Sequence, residues 1–224
     1  MRARGAFGPG RDGLLLAGLG SAYAAFALTF RGPRDRFWAR MTATGLVLGT
    51  VALASDPELR RIRVRARDVA SGLASAAALY GIFQVGDRLA RRIMPRGADE
   101  IEDVYRLRRL RSSMELAARL ALVIGPAEEL FWRGFAQRRL SRRGATWRGA
   151  ALAAAAYAGA HVASGNPTLT GAAGVAGAYW SALAAAGMPM GALIVCHIAW
   201  DIWIFLIAPT SEPVTAGRPS TPVA

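Results

Sequence analysis

Residues 149–200 read GAALAAAAYAGAHVASGNPTLTGAAGVAGAYWSALAAAGMPMGALIVCHIAW, without one Asp, Glu, Lys or Arg. A membrane-crossing helix needs about 20 mostly apolar residues, so this stretch is too long for one span. Gly and Pro punctuate helices. Ser164-Gly165-Asn166-Pro167 and Gly187-Met188-Pro189 therefore divide it, which predicts helices over 147–163, 169–187 and 190–208.

Outside this stretch the same pattern recurs. Gly13–Phe30, Met41–Ser55 and Val69–Gly86 carry no charge and predict helices over 13–30, 38–55 and 69–86, with another over 113–135. The expected fold class is all-α: a polytopic transmembrane helix bundle of about seven membrane helices. Arg2, Arg4 and Arg11 precede the first run as in a secretory signal, but its length and the spans that follow favour a retained helix. The segment 101–112 is basic and partly amphipathic (Ile101, Val104, Tyr105, Leu107, Leu110). It reads either as a helix lying along the membrane surface or as an exposed loop helix. Residues 209–224, rich in Pro, Ser and Thr, read as a disordered tail. The division expected is N-terminal helices and a basic segment over 1–112, a core over 113–208, and the tail.

A net charge of +13 would fit a nucleic-acid binder, but its distribution excludes that reading. The basic residues are all arginine and cluster between apolar runs, as at Arg31, Arg34, Arg36 and Arg40 and at Arg60, Arg61, Arg63, Arg65 and Arg67. Such clusters sit beside the anionic head groups of a lipid bilayer. The single cysteine, Cys196, excludes an internal disulfide and a cysteine-based metal site and reads as a small buried hydrophobe.

Three polar clusters interrupt this apolar background. Glu128 and Glu129 precede Arg133; Tyr157 precedes His161; His197 precedes Asp201. Ionisable groups in a membrane helix are costly unless they face a cavity or a partner. Glu129 and Arg133 stand four residues apart, acid first, the favourable order on a helix. Glu128 points about 100° away, free to face something else. Pro126 withdraws one backbone hydrogen bond just before. A carboxylate one turn from an imidazole, as Asp201 is from His197, can fix its tautomer. A free carboxylate with two imidazoles is the minimum for activating water, and also a sparse ligand set for a divalent metal.

Glu-Glu-x-x-x-Arg, aromatic-x-x-x-His and His-x-x-x-Asp, in this order on separate apolar helices and using the chain's only two histidines, resemble the CAAX protease and bacteriocin-processing family of integral membrane endopeptidases. The resemblance covers about residues 113–208 and implies an active site between the four C-terminal helices. It implies that Glu128 activates the attacking water with help from His161. His197 and Asp201 would stabilise the oxyanion or orient the water, while Glu129, Arg133 and Tyr157 shape the site. Tyr157 stands where the family usually has Phe, and its hydroxyl could reach His161 or a water. Asp201 stands where Asn is common, and orienting His197 suits it better than binding an oxyanion. The family has been described both with and without a metal. The expectation here is no obligatory cofactor; a divalent ion such as zinc would fall to Glu128, His161 and His197. The expected partner is a membrane protein or peptide substrate. Two competing readings are a non-proteolytic immunity or scaffold protein and a proton-coupled transporter. The latter often shows two related halves, and none is visible in this sequence.

Overall fold

The computed structural model describes residues 9–93, 97–141 and 146–209; the tail expected over 209–224 lies outside them except for its first residue. About nine-tenths of the described residues are helical, with no strand among them. The long helices are α1 (Pro9–Arg31), α2 (Phe37–Ser55), α3 (Ala66–Ile93), a shorter α4 (Gly97–Arg106), α5 (residues 113–140), α6 (Thr146–His161), α7 (Pro167–Ala185) and α8 (Met190–Ile202). Both expected breaks in the charge-free stretch occur. Gly165 and Gly187 adopt positive φ, 66° and 91°, conformations that favour glycine. The Asn166 side chain then accepts from the Leu169 amide to cap α7, and Pro167 occupies its first turn.

Four stretches are long and apolar enough to cross a membrane: Gly13–Arg31, Arg34–Ser55, Ala66–Arg88 and Met190–Ile207. The other three helices expected as spans are present as helices but do not meet that standard of length and composition. Helix α5 carries the charged cluster, α6 has only 16 residues, and α7 is rich in Gly, Ser and Thr. The outer faces of the four spans are greasy. Leu16, Leu28, Leu46, Leu73 and Val85 are exposed, whereas Glu128, Glu129, Arg133, His161 and His197 are buried. Apolar outside and charged inside is the arrangement of a protein solvated by lipid, and the chain is an integral membrane protein.

Small residues set the close helix contacts. A Cβ on Gly72 of α3 would come within 2.7 Å of Val195 and 2.8 Å of the Ala192 carbonyl on α8. A Cβ on Gly177 of α7 would come within 2.7 Å of the Tyr157 ring. Without a hydrophobic drive between helices in lipid, such close backbone approach is a main source of association. Between α5 and α7 the contact is polar and periodic. Arg133 donates to the Gly177 carbonyl at 3.1 Å, and Gln137, one turn on, donates to Ser181 at 2.9 Å, one turn on.

Helix α5 is irregular where the glutamates sit. It runs as an α-helix over Ser113–Arg119, widens to a π-helix over Leu120–Ile124, returns to α over Gly125–Glu129 and widens again over Leu130–Gln137. The Gly125 amide reaches back to the Leu120 carbonyl, a five-residue step taken immediately before Pro126, which has no N–H to give.

Helix α4, which covers the first half of the basic segment, docks on the bundle. The Glu100 carboxylate accepts from the Thr168 amide (3.0 Å) and hydroxyl (2.6 Å) at the start of α7, and the Asn166 side chain donates to the Glu100 carbonyl at 2.8 Å. Further along, Trp38 donates to the Leu107 carbonyl at 2.8 Å. The Thr168 hydrogen bonds hold the Glu100 carboxyl below its ordinary value. Because the folded value is the lower one, the attachment is fully present at neutral pH and is lost only as the pH falls through it. Glu100→Ala should accelerate tryptic nicking at Arg106, Arg108 and Arg109 several-fold at neutral pH; an unchanged rate would mean that this attachment does not hold the segment down.

Candidate active site

The site is assembled from three helices. Glu128 comes from the α-helical turn of α5 between its two widened stretches. His161 is the last residue of α6. His197 and Asp201 lie one turn apart on α8. Glu128, Tyr157, His161, His197 and Asp201 all line one cavity of about 230 Å³. The two glutamates divide as their spacing predicts. Glu129 is fully buried and pairs with Arg133 at 2.8 Å. Glu128 is 3% exposed and turns to the cavity, and its Oε2 has no hydrogen-bond partner among the described residues. A buried polar atom left unpaired is costly and rare.

On both imidazoles the neighbours place a hydrogen on Nδ1. The His161 Nδ1 lies 2.9 Å from the Tyr157 carbonyl, which can only accept, so Nδ1 carries the hydrogen and Nε2 keeps a lone pair. The His197 Nδ1 lies 2.7 Å from Glu129 Oε1 and donates to it. Its Nε2 is 3.4 Å from Asp201 Oδ2, long for a hydrogen bond, which leaves this nitrogen available to a third group. Trp180 of α7 stacks on the His197 ring at 4.0 Å and 12° and fixes its plane. Phe26 and Phe30 of α1 pack against His161 with centroids 4.9 and 5.8 Å away.

All seven residues singled out from sequence gather here. Two details differ from expectation. The Tyr157 hydroxyl faces Glu128, and His161 takes the Tyr157 backbone carbonyl instead. Glu129 does more than neutralise Arg133, because the same oxygen, Oε1, holds His197. The walls also extend beyond the four C-terminal helices. Phe30 of α1, Trp38 and Met41 of α2, Phe83 of α3 and Tyr105 of α4 line the cavity. None of these has a motif, and only their apolar character was readable. Cys196 is buried as expected and accepts from the Trp180 indole at 3.3 Å.

Among the described residues no group of three or more His, Cys, Asp or Glu side chains is placed to hold a metal ion. Both Nδ1 atoms are engaged by protein acceptors, leaving one nitrogen from each ring.

These features define a membrane-embedded helix bundle around a buried carboxylate–imidazole centre. Residues 111–203 match the family model described as Type II CAAX prenyl endopeptidase Rce1-like, a model of the CAAX protease and bacteriocin-processing group. No curated protein and no solved structure matches the chain. The family supports an intramembrane protease as the general activity, with a peptide or protein of the membrane as substrate.

Proposed function

We propose that the protein is a glutamate-type intramembrane endopeptidase that hydrolyses a peptide bond by direct activation of water. The observation that carries this reading is the buried Oε2 of Glu128, unpartnered among the described residues, in a cavity shared with two imidazoles each held through Nδ1. A water between Glu128 and His161 Nε2 meets two acceptors. As its oxygen attacks the carbonyl carbon, Glu128 takes the proton. The carbonyl oxygen becomes an oxyanion and receives a hydrogen bond from Nε2–H of His197 as an imidazolium, the form that carries a hydrogen on both nitrogens and lies between the carboxylates of Glu129 and Asp201, a donor aimed at charge that develops only in the transition state. The C–N bond then breaks, and Glu128 returns its proton to the departing amine. Asp201 orients His197 from one side and Glu129 from the other. No step passes through a metal, so 1,10-phenanthroline should leave cleavage unchanged. A loss restored by zinc would make the ion obligatory.

The arginine-only composition favours a bacterial member in the cytoplasmic membrane, acting in peptide maturation, leader removal or processing of membrane anchors. Helices α5, α6 and α7 are read as crossing the bilayer within the shelter of the four greasier spans. The test is a comparison of protein termini in membrane and secreted fractions from cells making wild type or Glu128→Gln at matched levels. Termini that vanish in the variant establish proteolysis and name cleavage sites. Identical termini, with both proteins folded, would favour an immunity or scaffold role.

A further inference from the structure

Helix α4 lies outside the three motifs, yet its apolar side reaches the site. Ile101, Val104 and Tyr105 stand at i, i+3 and i+4, one face of a helix, and all three line the same cavity as Glu128 and His161. This face is held in register at both ends by polar contacts that do not touch the catalytic groups: Glu100 on Thr168, and the Leu107 carbonyl on Trp38. Tyr105 packs against Phe205 in the widened turn Trp203–Ile207 that follows α8, with centroids 5.7 Å apart, so the wall continues from α4 into the end of the helix that carries His197.

The chemistry of the lining selects its occupant. Apart from Thr168, its polar groups are the catalytic glutamate, the two histidines, Asp201 and the hydroxyls or indoles of aromatic residues, and the remainder is aliphatic or aromatic. Among the described residues no arginine lines it. An acidic side chain would find no arginine there among the described residues and would meet Glu128 and Asp201. A polar one would exchange water for an apolar wall without compensating hydrogen bonds. The cavity of about 230 Å³ far exceeds the ~10–15 Å³ that one water requires, so it has room for the attacking water and a bulky side chain together.

We propose that Ile101, Val104 and Tyr105 are specificity-determining residues, walling a subsite that receives a large apolar side chain of the substrate beside the scissile bond. This rests on the proteolytic reading above and adds a substrate preference to it. The α4 face acts on substrate choice and leaves the water-activating groups untouched.

Two measurements on the full-length protein in membranes test it. The first repeats the comparison of termini with Val104→Trp, which fills the subsite, and Tyr105→Ala, which enlarges it. Val104→Trp should depress cleavage beside Leu, Met or Phe by about ten-fold or more relative to cleavage beside Ala or Gly, the scale on which an apolar pocket discriminates size. Tyr105→Ala should broaden acceptance towards larger residues. Equal loss at every site, or an unaltered preference, overturns the proposal. The second needs no activity. Ala172, which also lines the cavity, is replaced by Cys and its labelling by N-ethylmaleimide is timed; the parent protein with its buried Cys196 gives the background. Tyr105→Ala should speed this labelling several-fold and Val104→Trp should slow it. If neither changes the rate, α4 does not wall the cavity and the proposal falls. Failure of the proteolytic reading is recognised separately, by wild type and Glu128→Gln giving the same termini.

Discussion

Glu128→Gln should lower cleavage by about 10²–10⁴-fold, the contribution of a positioned general base, while the protein remains folded in the membrane. The substitution keeps the shape of a side chain only 3% exposed and removes the capacity to take a proton. In the native protein Oε2 of this residue has no hydrogen-bond partner among the described residues, so a carboxylate is buried with its demand unmet. A neutral amide is cheaper to bury than a carboxylate. Thermal unfolding in detergent should therefore show Glu128→Gln equal to or more stable than wild type. A group that costs stability and supplies activity marks a site held for chemistry. If Glu128→Gln cleaved normally, the base would be elsewhere. If it were inactive only because it unfolded, Glu128 would be a packing residue and the mechanism above would lose its centre.

How far the sequence reaches can be judged from particular residues. The three clusters were readable because a charged or imidazole group in an uncharged helix has to be accounted for, and a four-residue spacing tells which neighbours share a face. That is why Glu129 could be assigned to Arg133 and Glu128 to another surface. The breaks at Gly165 and Gly187 were readable because a positive φ is cheap for glycine alone. The bond from His197 to Glu129 was not readable. It depends on how α5 and α8 cross, and neither residue's local spacing records that crossing. The same holds for Trp180, which looks like any apolar aromatic residue until α7 lays it on the His197 ring. The widened turns of α5 have only Pro126 as a local sign, and a proline signals a missing hydrogen bond without specifying how the helix repairs it. The contribution of α1 to α4 to the cavity was hidden for a related reason. Lipid-facing and cavity-facing apolar residues are chemically alike, so Phe30 and Tyr105 become part of the site only when the bundle is assembled.

Arg133→Met should destabilise the protein by about 3–5 kcal/mol, the usual result of removing one partner from a buried ion pair. The side chains of Arg133 and Glu129 are both fully buried, and the guanidinium also donates to the Gly177 carbonyl and lies over the rings of Tyr157 and Trp180, 5.1 and 5.2 Å from their centroids. Without it the Glu129 carboxylate keeps only His197 among the described residues. Combining Arg133→Met with a neutral residue at 129 should restore much of the lost stability, because the stranded charge is then gone. The choice of that residue separates structure from positioning. Glu129→Gln retains an oxygen that can accept from His197 Nδ1–H, so the Gln/Met pair should recover stability together with part of the activity. Glu129→Leu offers no acceptor, so the Leu/Met pair should recover stability while cleavage stays low through kcat. Equal activity in the two double variants would mean that Glu129 serves the fold alone. A difference confined to kcat would make it the residue that points His197 at the oxyanion, and would link the most buried charge pair of the bundle to the orientation of a single ring.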